Sequence, residues 1–206
     1  MKRKRGILVS LLLPAVLLGG CGRGQAEATT ISAEKDGSIV QMIREPVSSD
    51  LSDMEDIRAY IDEELELYNA ALAEGESEIS LEQCSEDEET GMISVDLKYP
   101  DYEAYQSFNE RNFFQGTVAE AQAAGYSLEE LRFTDAEGES FSGTQAASDY
   151  AEKKILILEE PVTVWTSGRI LGVTSQVEIV DNDTATVSSD NGDTEVTSGL
   201  NYIIYE

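Results

Sequence analysis

Residues 79–108 read ISLEQCSEDEETGMISVDLKYPDYEAYQSF, and this stretch indicates the fold class more directly than any other. Two β-prone segments flank the acidic turn 85–91, and the second segment largely alternates apolar and polar side chains. Pro100 ends that segment, and Asp101 is a suitable N-cap for a helix that begins with aromatic residues. The stretch therefore predicts a β-hairpin followed by a helix.

A hairpin and a helix are also predicted upstream of this stretch. The Asp-Gly pair at 36–37 lies between two β-prone runs, which is a hairpin signal, and Pro46 ends the second run. A helix is then predicted over 52–74, with Gly75 as its stop, because apolar residues recur there at steps of three or four. The apolar stripe consists of Met54, Ile57, Ile61, Leu65, Tyr68 and Leu72.

The order of elements along the body predicts an α+β protein. Hairpin, proline and helix follow one another twice, which is consistent with an internal ββα repeat over 29–75 and 78–125. Residues 129–206 are strand-rich and close on a predicted strand at 202–205. We therefore expect a single domain over 29–206, with an antiparallel sheet built from hairpins and one or two amphipathic helices packed on one face.

The N-terminus has the build of a secretory signal. The first 20 residues, MKRKRGILVSLLLPAVLLGG, join a basic start to an apolar run that is too short to span a bilayer comfortably. The sequence Leu18-Gly19-Gly20-Cys21 resembles the lipobox of bacterial lipoproteins. That resemblance implies that processing enzymes cut between Gly20 and Cys21 and attach lipid to the Cys21 sulfur. The protein is then expected on the extracytoplasmic face of the cell membrane.

A short tether and then an acidic body are expected after the lipidated cysteine. Residues 21–28 would be the lipidated cysteine and a flexible tether with a reach of about 15 Å. Without the four basic residues of the signal, ten basic residues face 41 acidic ones, a formal charge of −31. Such a charge repels nucleic acid and excludes it as a partner class. With Cys21 acylated, Cys84 has no partner for an internal disulfide, and we expect it to be a small buried thiol.

The chemistry of common active sites is absent from the sequence. There is no histidine, which removes serine and cysteine triads, the commonest general base and nearly all zinc sites. Ser32-Ala-Glu-Lys35 and the Ser-Asp-Asn of 189–191 match two motifs of penicillin-binding enzymes. The third motif is missing, and Ser32 lies in a predicted strand instead of at a helix start. We therefore expect a non-enzymatic surface or interaction protein without a cofactor.

Two alternatives to an interaction protein remain open. The first is a module that binds a ligand or cation, for which the weak Ca²⁺ candidates are Asp181, Asp183, Asp190 and Asp193, although their spacing does not match an EF-hand. The second is a carboxylate-dependent hydrolase. Its sugar-stacking candidates are Tyr102, Tyr105 and Trp165, which at helix or strand spacing are more typical of a core.

Several short motifs of the body resemble those of small lipoproteins from Clostridia-type gut bacteria that have no assigned function. They are Tyr68-Asn69, Tyr105-Gln-Ser-Phe108-Asn109, Phe114-Gln-Gly116-Thr117-Val-Ala-Glu-Ala121, Gly168-Arg-Ile-Leu-Gly-Val and Tyr202-Ile-Ile-Tyr205. The resemblance covers most of the mature chain. It implies a surface location in a Gram-positive bacterium and implies no activity.

Overall fold

The computed structural model describes residues 26–46, 54–188 and 199–206. These parts of the chain hold thirteen strands and four helices. In chain order they are β1 (Thr30–Ala33), β2 (Ile39–Pro46), α1 (Met54–Ala70), β3 (Ser80–Asp87), β4 (Met92–Tyr99), α2 (Tyr102–Asn109), β5 (Phe113–Thr117), α3 (Val118–Ala123), β6 (Arg132–Thr134), β7 (Ser140–Ser142), α4 (Gly143–Asp149), β8 (Lys154–Leu158), β9 (Thr163–Thr166), β10 (Ile170–Val173), β11 (Val177–Asp181), β12 (Thr184–Val187) and β13 (Asn201–Tyr205).

The local predictions for the first half are confirmed. β1 pairs with β2 and β3 pairs with β4, both antiparallel, and a helix follows each hairpin. Helix α1 ends at Ala70, four residues before the predicted end. Beyond it, Gly75 adopts a φ of +96°, so it serves a later turn and not the helix terminus. Pairing within a hairpin and apolar periodicity within a helix are local properties, which is why the sequence predicts them.

The prediction of a single antiparallel sheet is wrong, because the strands form two sheets. The seven-stranded sheet has the order β11-β12-β9-β1-β2-β4-β3, and the six-stranded sheet has the order β5-β8-β13-β10-β6-β7. Most pairs are antiparallel, but β1 and β9 run parallel, with Thr30 opposite Thr163. This one parallel pair joins the N-terminal hairpins to the strand-rich last third. Strands so far apart in sequence carry no local signal of their pairing.

The first hydrophobic core fills the space between the two sheets. Val95 and Leu97 of β4 contribute to it from the seven-stranded sheet, and Leu156 and Leu158 of β8 contribute from the six-stranded sheet. Leu65 of α1 also belongs to this core, together with two buried residues of α2. Helices α1 and α2 therefore contribute to the same core as the two sheets.

A second hydrophobic core lies on the other face of the six-stranded sheet, under α3 and α4. Ile155 and Ile157 of β8 point into it, and they alternate with the residues of β8 that enter the first core. β13 alternates in the same way and is buried along its whole length. Continuous apolar runs of this kind are typical of strands covered on both faces. The structure thus has four helices where one or two were expected.

Candidate interaction surface

Ala26 packs on the outer face of the seven-stranded sheet. Ala26 is buried, and its carbonyl oxygen accepts a hydrogen bond from Arg44 Nε at 3.2 Å. Arg44 also pairs with Asp96, with 2.6 Å between Nη1 and Oδ1, and both side chains are largely shielded from solvent. Because side chains alternate along β4, Asp96 lies on the face opposite Val95 and Leu97. The N-terminal segment and the two helices therefore occupy opposite faces of this sheet.

Helix α1 is held to the sheet by a narrow stripe. Of its seventeen residues only Leu65 is buried, and the other residues of the stripe are half-buried against the first core. At the C-terminal end, the Asn69 side chain donates to the carbonyl of Ile79 and accepts from its backbone N–H, at 2.9 and 3.0 Å. These two bonds tie the end of α1 to the start of β3.

Two large apolar side chains of α1 lie outside the stripe. Tyr60 is 64% exposed and Leu67 is 63% exposed. They are seven positions apart, which places them on one face of the helix two turns from each other. Singly exposed apolar side chains are common on protein surfaces, and what sets these two apart is that both line the same cavity.

Helix α2 lies beside α1 and is positioned by its N-cap and its aromatic residues. The Asp101 carboxylate accepts from the backbone N–H of Ala104 at 2.8 Å, as the sequence predicted. Phe108 packs edge-on against Tyr68 of α1 and Tyr99 of β4, with ring centroids 5.5 and 5.9 Å apart. These contacts fix the spacing between the two helices.

The space between the two helices is a groove, which we name the α1–α2 groove. It consists of two adjacent cavities of about 500 and 630 Å³, and both are lined by Tyr68 and Ser107. The other lining residues of the first cavity are Tyr60, Ile61, Glu64, Leu67, Leu97 and Phe108. Those of the second are Ala71, Leu72, Gly75, Glu76, Ser77, Pro100, Asp101, Glu103 and Ala104.

The groove is lined by apolar and by acidic residues, with the first cavity mainly apolar and three of the four acidic residues in the second. Four carboxylates line it, those of Glu64, Glu76, Asp101 and Glu103, and no lysine or arginine is among the described residues that do so. The Glu76 carboxylate accepts from the backbone N–H of Ala73 at 2.7 Å, which holds it at the end of the groove. The arrangement suits a ligand with apolar side chains and positive charge.

Comparisons with known proteins return no relative. No protein-family model, curated protein or solved structure matches the chain. No helix in the described parts of the chain is long and apolar enough to cross a membrane.

A second polar cluster lies where α2 meets the connection from β8 to β9. The Tyr105 hydroxyl donates to both carboxylate oxygens of Glu160, at 3.1 and 2.9 Å. Burial raises the pKa of Glu160, and the Tyr105 hydrogen bond and the positive charge of Arg111 partly offset that effect. Burial and the neighbouring Glu160 charge raise the pKa of Tyr105 well above its usual range. Tyr105 therefore stays a protonated donor at neutral pH.

The cavity beside Glu160 does not hold the pair of carboxylates that a hydrolase needs. Its volume is about 220 Å³, and Gln41, Arg111 and Glu160 supply its polar lining together with Thr29. A carboxyl group with a raised pKa could act as a general acid. Glycoside hydrolysis needs a second carboxylate across the bond that breaks. Among the described residues that line this cavity, Glu160 is the only carboxylate.

Of the four cation-binding candidates, the structure describes Asp181 and Asp183. Asp190 and Asp193 lie outside the described residues. Asp181 ends β11, where its carboxylate accepts from the backbone N–H of Asn182 at 2.7 Å. The Asp183 carbonyl accepts from the backbone N–H of Thr166 at 2.9 Å. The described parts of the chain contain no group of three or more metal-ligating side chains.

The predicted roles of the cysteines and of Ser32 have different outcomes. Gly20 and Cys21 lie outside the described residues, so the lipid site stays a prediction. Cys84 is half-buried against the first core, not fully buried, and burial raises the pKa of its thiol. Ser32 is buried in β1 and donates to the Glu34 carboxylate at 2.7 Å. It is thus a strand residue, as the sequence indicated.

The aromatic residues considered for sugar stacking lie mainly in or against the core. Tyr105 is fully buried, and Tyr102 and Trp165 are half-buried. Tyr102 packs against Phe114 with 4.9 Å between ring centroids. Its pKa is raised to about 12 by burial and by the neighbouring Glu103. The burial of Tyr105 and the packing of Tyr102 indicate that these two residues have a structural role.

Sequence reasoning missed the residues that distinguish this surface, Tyr60 and Leu67. A signal for them was present, because both are large apolar residues that fall off the predicted stripe of α1. Glu160 was missed as well. Its Glu-Glu-Pro context in the sequence resembles any acidic turn, and only the tertiary structure places it against Tyr105.

Proposed function

We propose that this chain is a lipid-anchored, non-enzymatic interaction protein on the extracytoplasmic face of a bacterial cell membrane. The lipobox resemblance at Leu18-Gly19-Gly20-Cys21 supports the anchor. The observation that carries the interaction role is the α1–α2 groove, where Tyr60 and Leu67 are exposed and line the first cavity. We also propose the α+β description in its finer form, with α1 and α2 packed on one face of the seven-stranded sheet.

The distance between anchor and body supports this role. Ala26 packs on the body, and only residues 22–25 separate it from Cys21. Fully extended, the chain from Cys21 to Ala26 spans at most roughly 18 Å. The body of a lipidated chain would therefore lie next to the membrane, and its −31 charge would resist contact with anionic headgroups.

The position of the groove also supports the proposed interaction role. The tether enters the sheet on the face that carries Arg44 and Asp96, and the groove lies over the opposite face. The sheet thus separates the membrane attachment from the groove. A partner outside the cell would have access to the helices while the lipid holds the other side.

Fractionation of cells that express the full chain tests the anchor. The wild type and Cys84→Ala should sediment with membranes, and Cys21→Ala should be released, because only Cys21 would carry lipid. Cys84→Ala is the matched control, since it removes the other cysteine of the chain. Retention of Cys21→Ala in the membrane fraction would contradict the anchor.

Photo-crosslinking in intact cells tests the interaction role. A photoreactive residue at position 67 should give a discrete adduct with a protein, identified by mass spectrometry. The same residue at position 180 is the control, because Val180 is as exposed as Leu67, at 62%, but lies outside the groove. Equal adducts from both positions, or none from position 67, would contradict the role of the groove.

A further inference from the structure

The shape of the α1–α2 groove matches a helix more closely than an extended peptide. Its first cavity lies between α1 and α2, and α1 is about 25 Å long at 1.5 Å per residue. The second cavity is lined largely by the turns that follow α1 and precede α2. Tyr60, Glu64 and Leu67 follow one another at helical spacing along the first cavity. A third helix can place side chains between those of α1 and α2, as in other helix-in-groove complexes.

An extended peptide that adds to a sheet needs unpaired backbone N–H and C=O groups on the protein. The groove offers side chains instead. The edge strand β3 carries such groups, but a β-bulge between Leu81 and Gln83 interrupts its register with β4. A bulge and charged side chains at a sheet edge discourage the addition of another strand. The surface of this region that is suited to an occupant is therefore the groove between the helices.

The charge of the groove defines the occupant further. It is lined by Glu64, Glu76, Asp101 and Glu103, and the described residues that line it include no cation. A second copy of this chain would bring two such surfaces together, with a formal charge of −31 on each body. Like charges in an interface are strongly unfavourable. A basic partner would meet opposite charge instead.

We infer that the α1–α2 groove binds an amphipathic helix of a protein partner, with an apolar stripe toward Tyr60 and Leu67 and lysine or arginine toward the carboxylates. This inference rests on the proposed interaction role and names the partner class for the same surface. Burial of the apolar stripe supplies affinity, and the four carboxylates supply orientation and a faster association at low salt.

A titration with synthetic helices tests the inference. The probe is a fluorescent peptide of about 18 residues, designed so that leucine occupies one face of the helix and lysine occupies the opposite face. One control peptide has the same composition in scrambled order, and another carries glutamate in place of lysine. Binding to the full-length protein in phosphatidylcholine vesicles is read by fluorescence anisotropy, with empty vesicles as the blank. The amphipathic leucine–lysine peptide should bind, and both control peptides should bind at least about tenfold more weakly.

Two pairs of matched variants locate the site. Tyr60→Ser with Leu67→Ser should weaken binding by about tenfold, whereas Val180→Ser should leave it within about twofold. Glu64→Gln with Glu103→Gln should weaken binding several-fold and flatten its salt dependence. Glu137→Gln with Glu139→Gln changes the net charge equally, but it acts on the turn between β6 and β7 and should have little effect.

The outcomes that overturn the inference are distinct. Unchanged binding by the Tyr60/Leu67 variant would mean that the peptide follows the net charge and not the groove. Equal binding of the glutamate peptide, or absence of any binding, would also contradict it. Dimers that depend on Tyr60 and Leu67 would show that a second copy covers the groove. The titration works on the full chain with or without lipid, so failure of the anchor and failure of the groove remain separate results.

Discussion

Two pairs of helices cover two sheet faces in this protein, and they do so in different ways. Helices α3 and α4 bury small residues in the second core, Ala121 and Ala146, and Gly143 lets α4 approach the backbone of Leu128 closely. Helix α1 is longer and buries only Leu65. Small residues let short helices seal a core, whereas a long helix held by a narrow stripe leaves a groove beside it. We therefore propose a structural role for the first pair and a recognition role for the second.

The largest expected effect is a loss of core packing under α3 and α4. Ile155 is fully buried in the second core. Ile155→Ala should lower the free energy of unfolding by about 2–5 kcal/mol, because it removes buried methylene groups and leaves a cavity. Ile61→Ala in α1, where the side chain is half-buried, should cost less. Urea unfolding of both variants measures the difference, and equal losses would remove the contrast between the two helix pairs.

A smaller effect is expected at the closest helix contact. A Cβ at Gly143 would lie 1.5 Å from the carbonyl oxygen of Leu128, so α4 has to move to accommodate it. Gly143→Ala should lower the free energy of unfolding by about 1–3 kcal/mol, as overpacking typically does. Gly199→Ala is the matched control, since a Cβ there meets no atom within 4 Å. Thermal unfolding with no difference between the two variants would contradict the close approach.

The cap of α2 is the next contact in order of size. Asp101→Ala removes the acceptor for the Ala104 N–H and should cost about 0.5–2 kcal/mol. Asp101→Asn keeps a good N-cap acceptor and should retain most of the stability, which separates capping from charge. Urea unfolding measures both variants. If both lose the same free energy, the cap bond is not the cause.

The Glu160 cluster predicts an effect that depends on pH. Because the folded protein raises the pKa of Glu160, folding favours the neutral carboxyl group. That contribution is complete below the unfolded pKa of about 4.3 and is lost as the pH rises through the higher folded pKa. Glu160→Gln is neutral at every pH, so its stability relative to the wild type should increase from about pH 4 to about pH 8. Urea unfolding across this range measures it, with Glu137→Gln on the exposed turn between β6 and β7 as control, and a difference that is independent of pH would contradict the assignment.

The smallest expected effect is on the surface of α1. Leu67→Ser should change the free energy of unfolding by no more than about 0.5 kcal/mol, because its side chain already meets solvent. Thermal unfolding measures this. A large loss would show that Leu67 contributes to folding, and the groove would then be part of the core and not a contact surface.

Elements that depend on neighbouring residues were predictable. The hairpins around 36–37 and 85–91, the stripe of α1 and the Asp101 cap all involve residues within a few positions of each other. The capping box of α3, in which Thr117 and Glu120 bond reciprocally, belongs to the same class. The role of α3 in covering the second core depends on contacts with distant strands, which no local pattern predicts.

The candidate groove could be predicted only in part. The off-stripe positions of Tyr60 and Leu67 are visible in the sequence, but their exposure depends on how α2 packs beside α1. The carboxylates of the groove come from α1, from the turn after it and from α2, which are separate in the chain. With 41 acidic residues in the sequence, no pattern marks these four as neighbours.

The sequence by itself determined the local elements, the acidic charge and the expectation of a lipid at Cys21. Only the tertiary structure decided that the strands divide into two sheets, that β1 runs parallel to β9 and that the groove and the chain entry lie on opposite faces. The physical reason is the range of the interactions. Caps, turns and helical stripes are formed between residues close in sequence, whereas many alternating strands of similar composition can pair in several orders, and only the packing of the whole chain selects one.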